Sequence, residues 1–406
     1  MIVKSRLQRI HILMSGAALL LPGLLCSHAA LADTRAGATV ALDGGYSSAP
    51  FGDRGNSKGA ATATGRLSVR LENSHATGKL NIDGSISHTE YSRIYDSKTN
   101  YSAGARLSEQ LSERTNASLS GAFDSSVVDS GEALLNPLLG DTIDPDLPLV
   151  IDPSSAFLQR QRRNSYSVGA ALDHRFSEFD TVALSARGAA TRFPHGTTGN
   201  LREYNYYSSS ISYSRKVSAA LSIGASFSAA RSDYLRMALG DSWIYSPQLT
   251  AQLELGRGWS LSGSGGVSFT RTQAAFGRSN STTASGSLQL CKRDERFNGC
   301  ASVSRSVLPS SLGAVGNAVS AGVNASYRLD EFSTISGGAS YSRNSGGSFA
   351  QSQDFLRSSV SYSRRFTSRL SGYITAGYSD SYSGLIVSKA NLSGTVGISY
   401  SIGMLK

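Results

Sequence analysis

The chain has 406 residues, 40% hydrophobic and only 17% charged, with a formal net charge of +10. It holds no run of like charge and no basic strip interleaved with aromatics, which leaves nucleic-acid binding without support. Beyond the N-terminus no segment approaches the roughly 18 consecutive apolar residues of a spanning helix, so any membrane insertion has to use strands, and soluble export is the competing reading.

Taken in order, Lys4, Arg6 and Arg9 precede an apolar run from Ile10 to Leu25, and Ala30-Leu31-Ala32 offers a small-x-small cleavage pattern before Asp33. Residues 1–32 therefore read as a secretory signal peptide rather than a retained anchor, because the run is short and small and polar residues follow it closely. Leu25 is too large for the residue before a lipoprotein cysteine, so Cys26 belongs to the discarded segment. Removing three cations leaves 36 Lys+Arg against 29 Asp+Glu, a formal net of +7 for residues 33–406.

From about residue 38 to residue 402 the chain repeats one pattern. Leu221-Ile223-Ala225-Phe227 alternate with Ser222-Gly224-Ser226-Ser228, and Val319-Ala321-Val323-Ala325-Tyr327 alternate with Ser320-Gly322-Asn324-Ser326. Successive strand residues point to opposite faces, so each such segment is a strand with one apolar and one hydroxyl face, of the length a tilted transmembrane strand needs. Short, similar turns separate them in pairs: ENSHAT near 75, SEQLSER near 112, RFSEFDT near 179, RKVSAA near 218, LGRGWS near 257, KRDERFNG near 295, RLDEFST near 331 and RRFTSR near 367. All but one of the intervals are close to 38 residues, one antiparallel hairpin each. Longer polar connections lie between, such as IYDSKTN, PHGTTGN, LRMALGDS, AAFGRSNS and SGGSFAQSQD. Short turns at one end and long loops at the other is the asymmetry of an outer-membrane barrel. Eight turns predict sixteen strands, and the flanking segments raise the expectation to eighteen, with sixteen as the alternative. A β-propeller is disfavoured, since its blades are four shorter strands with their own motifs.

Cys291 and Cys300 flank KRDERFNG and would stand opposite each other on adjacent strands if that stretch is a hairpin loop, where a disulfide is sterically plausible. No CxxC or neighbouring His completes a metal set, and no cofactor is expected. His75, His88, His174 and His195 form no local Ser/His/Asp constellation, so an enzyme is not expected.

The final strand carries Thr395-x-Gly397-x-x-Tyr400-x-Ile402, which resembles the polar-x-Gly-x-x-apolar-x-apolar signal by which the barrel-assembly machinery recognises and inserts outer-membrane proteins. It departs from the commonest form by continuing to Lys406 with no terminal aromatic. Arg305 to Ala314, RSVLPSSLGA, resembles an R-x-x-x-P-S-x-x-G element of outer-membrane barrels encoded with exopolysaccharide export systems; an ordinary loop entered through Pro309 and Gly313 is the competing reading. The resemblance implies a Gram-negative, porin-like barrel, with outer-membrane lipid, the assembly machinery, and a hydrophilic solute or polysaccharide as partners.

Arg66, Arg70, Lys79, Arg106, Arg163, Arg187 and Arg357 fall at inward parity, mostly on the earlier strands, and would make one positive wall. The competing reading pairs them with Glu72, Asp83 and Asp124. The one doubled interval, 67 residues, marks an insertion over 126–160 that holds four of the nine prolines and Asp141, Asp144, Asp146 and Asp152. It is expected to be an inward constriction loop, an outward lid or ligand loop, or a calcium-ordered loop, the last lacking the Gly and Glu of a calcium site. Two functions stand open: a pore, or a non-conducting surface barrel acting as adhesin or envelope-assembly partner.

Overall fold

The computed structural model describes residues 33–51, 58–92, 95–127, 161–194, 202–235, 240–274, 277–310, 314–345, 352–383 and 389–403. These form eighteen strands: β1 (Asp33–Ser47), β2 (Ala60–Ser74), β3 (Gly78–Tyr91), β4 (Lys98–Ser112), β5 (Thr115–Val127), β6 (Arg162–Arg175), β7 (Asp180–Arg192), β8 (Tyr204–Lys216), β9 (Leu221–Tyr234), β10 (Ser242–Gly256), β11 (Trp259–Ala274), β12 (Gly277–Arg293), β13 (Phe297–Ser310), β14 (Ala314–Arg328), β15 (Ser333–Ser345), β16 (Gln353–Arg365), β17 (Leu370–Ser383) and β18 (Asn391–Gly403). Each pairs antiparallel with its sequence neighbours, and β18 returns to β1, Gly37 facing Gly403 and Ser47 facing Ser393. The sheet thus closes into an up-and-down barrel. Residues 1–32, read as a signal peptide, and 128–160, nearly all of the insertion, lie outside the described residues.

All eight short turns fall where the sequence places them, and six share one device. In each, a short polar side chain at the first turn position accepts backbone amides two or three residues on, holding the reversal. Asp294 Oδ1 accepts from Arg296 and Phe297 at 3.1 and 2.7 Å, and Asp330 Oδ1 accepts from Phe332 at 2.7 Å. Ser112, Ser177, Ser218 and Thr367 do the same with hydroxyls. The Phe297 and Phe332 amides hold these two carboxyls below the usual carboxylate range. A depressed folded pKa means the stabilisation is whole above about pH 4 and disappears as the pH falls through the lower, folded value. The urea midpoint should therefore drop less between pH 7 and pH 3 in an Asp294→Asn/Asp330→Asn variant than in the parent. An undiminished acid loss would show that these turns do not contribute.

One expectation is corrected. AAFGRSNS is not a long connection: β11 runs to Ala274 and β12 begins at Gly277, with Ala274 facing Gly277 and Gln273 facing Arg278. A Ser/Asn-rich stretch imitates a loop by composition, yet its backbone pairs with β11 all the same, because a ladder asks only for extended amides.

The two faces invert the usual core. Large apolar side chains stand exposed around the barrel, Leu249 at 72%, Leu392 at 62% and Val360 at 59% among them. Each such side chain left in water forfeits about 1.5–3 kcal/mol relative to burial, so hydrocarbon is the environment this surface fits. Phe176, Phe179, Val217, Leu329, Phe332 and Phe366 ring the short-turn end, as in an interfacial girdle. The buried set is instead rich in Ser and Thr. Inward hydroxyls, most of them half-buried, bond across strands at 2.7 Å, in Ser85–Ser102, Ser185–Ser210, Ser246–Ser268, Ser304–Ser320 and Ser371–Ser399.

Candidate functional site: the lumen wall

The polar parity faces the interior. A concavity is lined by Asp43, Thr62, Thr64, Arg66, Thr89, Tyr373, Ser393 and Thr395, all at polar positions of β1, β2, β3, β17 and β18. Alternation then places Arg66 and Arg70 of β2, Lys79 of β3, Arg106 of β4, Arg163 of β6, Arg187 of β7 and Arg357 of β16 on the same inner face.

Register shows which of these come together. Arg106 and Arg187 share one row through Ser120 and Gly169, three strand steps apart, or about 14 Å. Arg70 stands directly opposite Asp83. Glu72 takes Lys79 at 2.9 Å, close above the β2–β3 turn. Arg163 lies within electrostatic reach of Asp124, while its Nε is buried with no hydrogen-bond partner among the described residues. The wall is thus cationic and partly paired at once.

Charge divides the lumen in two. Leaving aside the first three residues of β1 and the three residues of each strand next to a short turn, the described inner positions carry seven cations (Arg66, Arg70, Lys98, Arg106, Arg163, Arg187, Arg357) and three carboxylates (Asp43, Asp83, Asp124). All but Arg357 sit on β1–β7. From β8 to β15 the inner charges are Lys216, Glu254, Arg293 and Arg328, each beside a short turn; Ser, Thr, Gly, Asn and Gln make up most of the rest. Water reaches both halves, since Arg70 and Arg106 are exposed on one side and Gln252, Ser287 and Gln289 on the other.

Some of the site was not found from the sequence. Tyr373 lies inward and nearly buried, and its hydroxyl donates to Asp43 Oδ1 at 3.0 Å across β18. Lys98 is buried near the long-loop end, its Nζ 5.9 Å from the Tyr91 ring centroid. That ring packs with Phe51 and Tyr95 at 5.5 and 5.8 Å, so the start of the first long connection folds against the inner wall. A lone Asp or Lys in an alternating strand carries no mark of its partner; only register across the β18–β1 closure joins Asp43 to Tyr373.

Of the expected site residues, Thr395 and Gly397 face inward, and Tyr400 and Ile402 are exposed on the apolar face. Gly397 has a packing reason to be glycine: a Cβ there would lie 2.5 Å from Tyr373 Cζ and 2.8 Å from Asp43 Cβ. Cys291 and Cys300 are directly opposite on β12 and β13 and joined by a disulfide, with a Cα–Cα distance of 4.1 Å, on the inner face above the β12–β13 turn. Asp141, Asp144, Asp146 and Asp152 lie outside the described residues. Among the described residues no three His, Cys, Asp or Glu side chains converge as a metal site.

No protein-family model matches the chain, and no curated protein matches it. Solved structures similar to it include Pseudomonas aeruginosa OccK2 (OpdF) in complex with glucuronate, at 10% identity and a TM-score of 0.49 over 92% of this chain and 98% of that one. Pseudomonas aeruginosa OpdO has 12% identity and 0.48 over 92% and 98%, and Acinetobacter baumannii OccAB4 10% and 0.46 over 91% and 98%. The eighteen-strand closure rests on this chain's own pairing. An even-stranded, closed antiparallel barrel with an apolar outer band and one end of short turns is a porin-like barrel of the Gram-negative outer membrane.

Proposed function

We propose that the protein is a passive pore for hydrophilic solutes, reached after removal of residues 1–32, and that it favours anionic ones. The observation that carries this reading is the divided, water-accessible inner face: a net cationic wall on β1–β7 opposite a hydroxyl wall on β8–β15. Barrels of 16–18 strands are wide enough for an aqueous channel. Cations along one side lower the barrier for anions, and hydroxyls on the other replace part of a solute's hydration shell. Rows of Ser and Gln suit sugars in particular, so acidic saccharides and polysaccharide fit both walls.

Refolded chain of residues 33–406 in a planar bilayer should give steady openings with a size cutoff for neutral sugars and reversal potentials that favour chloride over potassium. A folded barrel that stays silent would instead support the surface adhesin or assembly-partner reading, and would move attention to the long connections.

A further inference from the structure

The wall forks on the long-loop side. β12 pairs with β13 only from Arg293 opposite Asn298 up to Gly286 opposite Arg305. Above that, residues 277–285 pair with β11 alone and residues 306–310 with β14 alone, although every residue on both sides of the fork is described. Among the described residues, one edge of the upper half of β12 therefore has no strand partner. Unpaired amides are costly in hydrocarbon, so this edge belongs in a polar layer.

Height agrees with that. Arg305 is eight residues above the first residue of β13, and Arg271 twelve above that of β11. At about 3.3 Å per residue and a tilt of roughly 40° these stand some 20 and 30 Å above the short-turn end, at the upper margin of an apolar band about 25 Å tall. Around the open edge the outer face turns polar and basic: β12 presents Arg278, Asn280 and Thr282 at positions where β10 presents Trp243 and Tyr245. Arg271 faces Asn280, which makes Arg271 and Arg278 diagonal neighbours on one face, with side chains about 7–8 Å apart. Arg271, Arg278 and Arg305 are exposed and make no ion pair or hydrogen bond among the described residues. Nearby outward arginines differ in this respect, Arg343 lying 3.6 Å from Asp354 and Arg231 3.8 Å from Asp233.

We infer that the open edge of β12 above Gly286 is a lipid site, in which Arg271 and Arg278 hold a phosphate of a phosphorylated glycolipid of the outer leaflet; Arg305, whose row at Gly286 lies six residues below that of Arg271 at Asn280, marks the foot of the fork. Guanidinium groups match phosphate oxygens bidentately, and unpaired strand amides offer further donors to an anion or a sugar. The outward direction and the height select a lipid head over a solute in the lumen. The inference rests on the outer-membrane reading and not on conduction: a silent barrel that retains the lipid would overturn the pore and leave this site standing.

The test is native mass spectrometry of the refolded chain in detergent, with bisphosphorylated lipid A, its dephosphorylated form and phosphatidylglycerol as probes. Bisphosphorylated lipid A should be retained about tenfold better than either other lipid, and its retention should fall as salt is raised, because exposed charges are screened. Arg271→Gln/Arg278→Gln should lose about tenfold, while Arg343→Gln should not change it; heat-modifiable gel mobility reports that each variant is folded. Equal retention of the dephosphorylated lipid by the parent protein overturns the proposal even if the double variant fails to fold. So does equal retention of phosphatidylglycerol, which would make the patch a general anionic-lipid surface.

Discussion

Replacing Arg70, Arg106 and Arg187 together by Gln should remove most of the anion preference of the channel while leaving its size cutoff for neutral sugars in place. The three side chains project from β2, β4 and β7 on the inner face, and Arg106 and Arg187 stand on one register row. A unit charge about 8 Å from a passing ion in water contributes on the order of 0.5 kcal/mol, so three contribute about 1.5 kcal/mol, near tenfold in relative permeability before screening. In dilute salt the chloride-to-potassium ratio should fall several-fold, and in 1 M salt, where the screening length is about 3 Å, parent and variant should converge. Asp83, opposite Arg70, tempers the effect, and Asp83→Asn should move the ratio the other way. An unchanged ratio in dilute salt would mean that the permeant path does not run along this wall.

Gly397→Ala should destabilise the barrel, and shortening Tyr373 should recover much of the loss. The added methyl would sit 2.5 Å from Tyr373 Cζ and 2.6 Å from its hydroxyl oxygen, in a place where the ring bridges from β17 over β18 to Asp43. Forcing one carbon into such packing typically costs about 1–3 kcal/mol. In Gly397→Ala/Tyr373→Ala the clash with the ring is gone and only the 2.8 Å approach to Asp43 Cβ is left, so the two changes should couple by more than about 0.5 kcal/mol in urea unfolding from lipid vesicles. The same experiment separates two roles for this glycine. Were Gly397 needed only as part of a signal read by the assembly machinery, the purified protein would refold with parental stability and the Tyr373 change would repair nothing.

The two results address different halves of the molecule, and the sequence spoke to them unequally. Strand identity, the eight short turns and the count of eighteen were legible because alternation has a period of two and each turn carries its own chemistry, as Asp294 and Asp330 do toward the amides that follow them. Inward or outward placement of Arg66, Arg70, Arg106 and Arg187 followed from parity alone. Their partners did not, since Arg70 opposite Asp83 or Arg106 level with Arg187 depends on register, which parity leaves open by any even number of residues.

Composition misled at AAFGRSNS, where polar residues extend a strand rather than a loop, and that same segment carries the open edge of β12. By itself the sequence determined the element type, the two faces and the hydroxyl character of the interior, since these need only local alternation and side-chain chemistry. The tertiary structure decided the closure of β18 on β1, the bridge from Tyr373 to Asp43, the space kept by Gly397 and the fork above Gly286, because each depends on which backbone lies beside which, and that is set jointly by all eighteen registers around the barrel.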